Sequence, residues 1–137
     1  MGRSKGQSRR ESWTGMNWIR QDKRLAIYLR DGLSCCYCGA SVEQGAQLSL
    51  DHVKPHSKGG SNKATNLVTC CTRCNSARQD RPVAEFARGV ANYLGVDAAE
   101  IVAHVRRVRR RQLPRAEAKA MIARRGSAAR VLAQMAG

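Results

Sequence analysis

Apolar and polar positions change rhythm several times along this chain, and each change predicts an element. From Asn17 to Arg30, Trp18, Leu25, Ile27 and Leu29 mix with Arg20, Lys23, Arg24 and Arg30. That loose pattern predicts a helix capped by Asn17 and stopped by Asp31-Gly32. Leu48-Ser49-Leu50-Asp51-His52-Val53 alternates as a half-buried strand does, and Pro55 ends it. Ser57-Lys58-Gly59-Gly60-Ser61-Asn62 reads as a flexible loop. Asn66-Leu67-Val68-Thr69 then leads into a helix expected from near Cys71 to about Asp80. Pro82 suits the first turn of a further helix, with Val83, Phe86, Val90 and Leu94 at helical spacing and Gly95 as its stop. Asp97 and Glu100 resemble a capping box that opens a helix through about Arg111. Ile101, Val102, Val105 and Val108 line one side of it. Pro114 begins an Ala-rich helix interrupted near Gly126-Ser127.

These elements divide the chain into three parts. Residues 1–15 are polar, basic and rich in Gly and Ser, which predicts a disordered arm. Residues 16–95 hold the mixed α+β core, and residues 96–137 form a basic helical extension. Charge changes the picture most. Lys and Arg number 25 against 10 acids, a net charge of +15, which calls for a polyanionic partner, nucleic acid above all. Aromatic residues are only 4% of the chain, so rows of base-stacking side chains are not expected. The first residues carry no apolar stretch of a secretory signal, and no apolar run approaches a membrane span. The expectation is a cytoplasmic protein without a membrane partner, in which six cysteines serve metal binding rather than disulfides.

The thiols are ordered for that purpose. Cys35/Cys38 and Cys71/Cys74 form two Cys-x-x-Cys pairs, the spacing that lets four thiolates close around one Zn²⁺. A closed site leaves no position for water, so this zinc is structural. Cys36 and Cys70 could replace a ligand through a one-residue slip, but each would break the spacing of its pair, so they read as small thiols, buried or exposed. The insert between the pairs carries more than a structural site needs. His52 is a natural general base, because imidazole titrates near neutrality. Asp51 offers a hard oxygen suited to Mg²⁺ or Mn²⁺, and Asn75 adds an amide oxygen. On a regular strand Asp51 and His52 point to opposite sides, so a bulge or a strand end must bring them to one site. His56 and Lys58 lie in the loop. Lys63 and Arg73 read as either phosphate contacts or solvated charges, the solvated reading ahead, and His104 as a helix-surface side chain.

Taken together, residues 35–78 closely resemble the HNH endonucleases in their zinc-stapled form. The shared pattern is Cys-x-x-Cys, Asp-His with Pro three residues on, Gly-Gly, Asn-Leu, then Cys-x-x-Cys-Asn and a basic residue. The resemblance implies a ββα-metal (His-Me finger) core on a four-cysteine zinc knuckle, flanked by helices. It implies His52 as general base and Asp51 and Asn75 as ligands of the catalytic Mg²⁺ or Mn²⁺. It places Asn66 at the middle catalytic position, where that residue usually orients the loop and the base, and Arg78 near phosphate. Asn75 stands where the family's final His is usual. His56 and Lys58 match loop positions that face DNA. Arg106, Arg107, Arg109, Arg110 and Arg111 crowd a helix and are expected on the phosphate backbone. The small size is similar to that of stand-alone phage or prophage enzymes, with phage packaging partners implied by that resemblance alone. The expected function is metal-dependent hydrolysis of DNA. Its rival is a non-catalytic zinc-knuckle nucleic-acid-binding module, which needs the thiols and basic helices but not Asp51, His52 and Asn75 together.

Overall fold

Helix α1 spans Gln21–Arg30, and β1 (Leu48–His52) pairs with β2 (Leu67–Cys71) before α2 (Thr72–Arg78). Four helices follow: α3 (Val83–Leu94), α4 (Ala98–Val108), α5 (Arg115–Arg125) and α6 (Ala128–Met135). The computed structural model describes residues 19–136. The basic arm expected over residues 1–15, the Asn17 cap and Trp18 lie outside the described residues. Within them Arg20 precedes α1 and makes no side-chain cap.

The hairpin is antiparallel and unbroken, with Leu48 opposite Cys71 and His52 opposite Leu67. A lone two-stranded hairpin is marginal in water, so both faces need cover. Leu48, Leu50 and Leu67 pack on Ile27 and Tyr28 of α1. On the other face Val68 and Cys70 join Tyr37, Phe86 and the apolar side of α4. Tyr37 meets the Phe86 ring edge-on at 5.0 Å, an arrangement that favours aromatic pairs beyond the area they bury. The strand pair followed by α2 is the ββα unit expected from the sequence, in an α+β chain.

The loose apolar spacing of α1 has a packing cause. Ile27 and Tyr28 face the hairpin, while Leu25 and Ala26 face Ala118 of α5 and Ala128 and Val131 of α6. A helix covered on two sides is apolar on two sides. Helix α4 buries Ile101, Val105 and Val108 as expected but stops before Arg109. Asp97 caps it by accepting from the Ala99 N–H, not through the reciprocal box with Glu100. The division placed at 95/96 falls between α3 and α4, which share one apolar cluster.

Two glycines shape the loop after β1. Gly59 ends a 3-10 turn over His56–Lys58 at φ +87°, a left-handed conformation that a side chain resists. Gly60 is needed for space, since a Cβ there would lie 1.8 Å from the Lys54 carbonyl oxygen.

Candidate active site

The site starts with the thiols. Cys35 and Cys38 come from the turn before β1, Cys71 ends β2, and Cys74 lies in the first turn of α2. Their four sulfurs all lie within 4.8 Å of one another, and Cys38 Sγ and Cys71 Sγ are 3.7 Å apart. A tetrahedron of about 2.3 Å Zn–S bonds has edges of about 3.8 Å, so this donor set fits one zinc ion. The Cys38 and Cys74 N–H groups donate to Cys35 Sγ and Cys71 Sγ, each at 3.4 Å. The neighbouring Cys74 thiol, with help from such N–H groups, holds the Cys35 thiol down to about 5. Cys36 and Cys70 stand outside the cluster, and burial pushes both thiols up.

Strand alternation sorts the chemistry above this base. Ser49 and Asp51 share the face of β1 turned to α2. Asn75 Nδ2 donates to Ser49 Oγ at 2.9 Å, which directs the amide oxygen elsewhere. One turn along α2, Arg78 Nη1 donates to Asp51 Oδ2 at 2.6 Å. The Tyr37 hydroxyl donates to the same oxygen at 2.5 Å. Burial pushes the Asp51 carboxyl above its ordinary value, against the pull of the Tyr37 hydroxyl and the Arg78 guanidinium. Asp51 and Asn75 therefore stand over one face of the hairpin.

His52 is the last residue of β1 and is half-buried. No bulge intervenes between it and Asp51, and His52 lies at the end of the strand. His52 Nε2 lies 2.7 Å from Asn62 Oδ1. With the Asn62 oxygen accepting, Nε2 carries the proton and Nδ1 is the basic nitrogen. The His56 ring stands 5.8 Å from the His52 ring, centroid to centroid, on an exposed turn. Lys58 Nζ donates to the Asp80 carbonyl at 3.3 Å, and Ser57 donates to the Asp80 carboxylate at 2.8 Å.

Asn66 and Arg78 are both buried. The Asn66 amide is consumed by the loop: Oδ1 accepts from the Lys54 N–H, and Nδ2 donates to the Lys54 and Ser61 carbonyls. With both ends engaged it ties the loop to Lys54 and Ser61. Arg78 is fully buried, so its guanidinium offers no phosphate contact. The arginine run also divides. Arg109 donates to the Thr65 carbonyl at 2.6 Å and Arg111 to the Arg30 carbonyl at 3.3 Å, while Arg106, Arg107 and Arg110 line one groove with Ala103. Sequence reasoning missed Tyr37 and Asn62. The one signal for Tyr37 was its place inside the first Cys pair; nothing marked Asn62.

Fold and site together define a ββα unit with a four-cysteine cluster and an Asp-His pair. Residues 35–90 match the family model of the HNH endonucleases. The CRISPR-associated endonuclease Cas9 of Actinomyces naeslundii is 36% identical over 66 residues, 47% of this chain and 6% of that protein. Its counterpart from Corynebacterium diphtheriae is 32% identical over 78 residues, 56% of this chain and 7% of that protein. The chain thus spans a small fraction of these curated relatives. Among solved structures, the type II-C Cas9 of Actinomyces naeslundii aligns with a TM-score of 0.43 at 24% identity, over 75% of this chain and 12% of that one. Among the described residues no helix is long and apolar enough to cross a membrane.

Proposed function

We propose that this chain is a metal-dependent endonuclease that hydrolyses DNA phosphodiester bonds with His52 as general base. The observation that carries the reading is the Asp51-His52 end of β1, with Asn75 of α2 standing over the same strand face as Asp51. His52 Nδ1 accepts a proton from water while Nε2–H stays on Asn62, which fixes tautomer and ring orientation. The water oxygen attacks phosphorus as the bond to the leaving sugar oxygen breaks. Both bonds to the Asp51 carboxylate fall on Oδ2, so Oδ1, with the Asn75 amide oxygen, would hold Mg²⁺ or Mn²⁺. Bound there, such an ion would supply charge neutralisation for the reaction. Zinc in the four thiolates is structural, because its shell is closed. His56, whose ring stands by that of His52, and Lys58 on the same turn serve as phosphate contacts.

DNA as substrate is supported by the net charge of +15 and by curated relatives that are endonucleases. Incubating zinc-loaded protein with supercoiled plasmid, with and without Mg²⁺ or Mn²⁺, tests the reading. The expected result is nicked or linear DNA only when the divalent ion is added. Plasmid that is bound yet stays intact with either ion would favour the non-catalytic binding module.

A further inference from the structure

Arg78 is a charged side chain with no exposure, placed between the two halves of the site. Its guanidinium donates to the carboxylate and to three backbone carbonyls. Nε donates to the Arg81 carbonyl at 3.0 Å, Nη1 to Asp51 Oδ2 and to the His52 carbonyl, both at 2.6 Å, and Nη2 to the Val53 carbonyl at 2.7 Å. The two strand carbonyls have a specific need of it. His52 and Leu67 are opposite one another in the ladder, while the Val53 N–H reaches the Asn66 carbonyl, so the polar backbone groups of His52 point away from β2. Val53 would return its own carbonyl to the Asn66 N–H, but that N–H turns to the Lys63 carbonyl instead. Both carbonyls are thereby left for a donor outside the hairpin, and Arg78 supplies it from α2.

We propose that Arg78 is the positioning residue of this centre, pinning the peptide units that follow His52 and the Asp51 carboxylate to the helix that carries Asn75 and Cys74. The inference rests on the nuclease reading for what is positioned, and it replaces a phosphate-binding role for this arginine. The planar fork is what the site requires. A lysine ammonium can neutralise Asp51 but cannot reach the His52, Val53 and Arg81 carbonyls from one fixed plane. Losing the two strand carbonyls frees the backbone on which the imidazole stands, and a shift of about 1 Å in a reacting group can cost about 100-fold in rate.

The test is Arg78→Lys in this whole chain, loaded with zinc. The expected result is one zinc per chain, a kcat on duplex DNA lower by about 10- to 100-fold, and a higher Mn²⁺ concentration for half-activation. KM and the salt dependence of DNA binding should stay as in the wild type. Unchanged kcat would overturn the proposal, and so would a lowered kcat with a flatter salt slope, which marks a phosphate contact. Should the variant fail to hold zinc, the wild type still decides. Its Arg78 Nε–H resonance should exchange slowly with water and stay in place when a DNA duplex is added without Mg²⁺ or Mn²⁺. Fast exchange, or a shift that tracks DNA binding, would overturn the role. Wild-type protein that cuts no DNA while this resonance is protected and unmoved counts against the nuclease reading, not against the clamp.

Discussion

Gly60 leaves no room for a side chain, because the Lys54 and Pro55 carbonyls fill the space where a Cβ would go. Those atoms are backbone, so a substitution must move the loop. Gly60→Ala should therefore displace the turn that carries His56 and Asn62, and cleavage should fall by about 10- to 100-fold, on the scale of outer-shell changes in metal sites. Zinc content should not change, since the thiols lie elsewhere. Cleavage rates set against zinc analysis check this. The reactive types themselves were legible in the sequence: Asp51, His52 and Asn75 stand out by chemistry and spacing. Their partners were not. Tyr37 reaches Asp51 across 14 positions, and Asn62 reaches His52 across 10, by contacts that only the folded hairpin creates. Burial was equally hidden, because nothing in the sequence separates Arg78, with no exposure, from the exposed Arg73.

At the scale of elements, the hairpin depends on what surrounds it. The end of α1 is tied to β2 by a buried ion pair in which Arg30 Nε donates to Asp31 Oδ1 at 2.6 Å. Arg30 also donates to the Ala64 and Leu67 carbonyls, and Asp31 accepts from the Thr69 N–H. The knuckle secures the opposite end through thiolates from both sides of the hairpin. Binding of structural zinc is worth about 10 to 16 kcal/mol in small zinc-finger peptides, as much as the whole stability of many domains, about 5 to 15 kcal/mol. Cys71→Ser should thus unfold the hairpin rather than merely slow catalysis. Circular dichroism and metal analysis of the variant check this; a folded, zinc-free Cys71→Ser protein would show that α1 and α3 suffice. Strands, helices and their stops were legible because Pro55, Gly95 and Gly126 punctuate the periodicity. The two-sided burial of α1 was not, because its second partner, α5–α6, lies about ninety residues further along the chain.

Across the whole molecule, charge and catalysis sit on different parts of one chain. On the nuclease reading the +15 net charge would raise local DNA concentration, while Arg106, Arg107 and Arg110 supply a basic face on α4 and the turn after it. Each phosphate contact releases counterions, so affinity should fall with salt by a log–log slope of about −0.9 per contact on duplex DNA. Changing these three arginines to Gln should flatten the slope and weaken binding evenly across sequences. Single-turnover cleavage at saturating protein should persist. A wild-type slope would make them a solvated face. Arg109 and Arg111 are left out because backbone carbonyls already hold them. The sequence displayed this charge openly but could not divide it, since anchoring depends on where Thr65 and Arg30 fall in space. The central claim is that His52, set at the end of β1 and oriented by Asn62, takes the proton from the attacking water. Its most direct test is single-turnover cleavage of a labelled DNA duplex by zinc-loaded His52→Ala in Mg²⁺ or Mn²⁺, beside wild type. The account predicts a loss of about 100- to 10,000-fold with zinc content and DNA affinity unchanged; cleavage at the wild-type rate would contradict it.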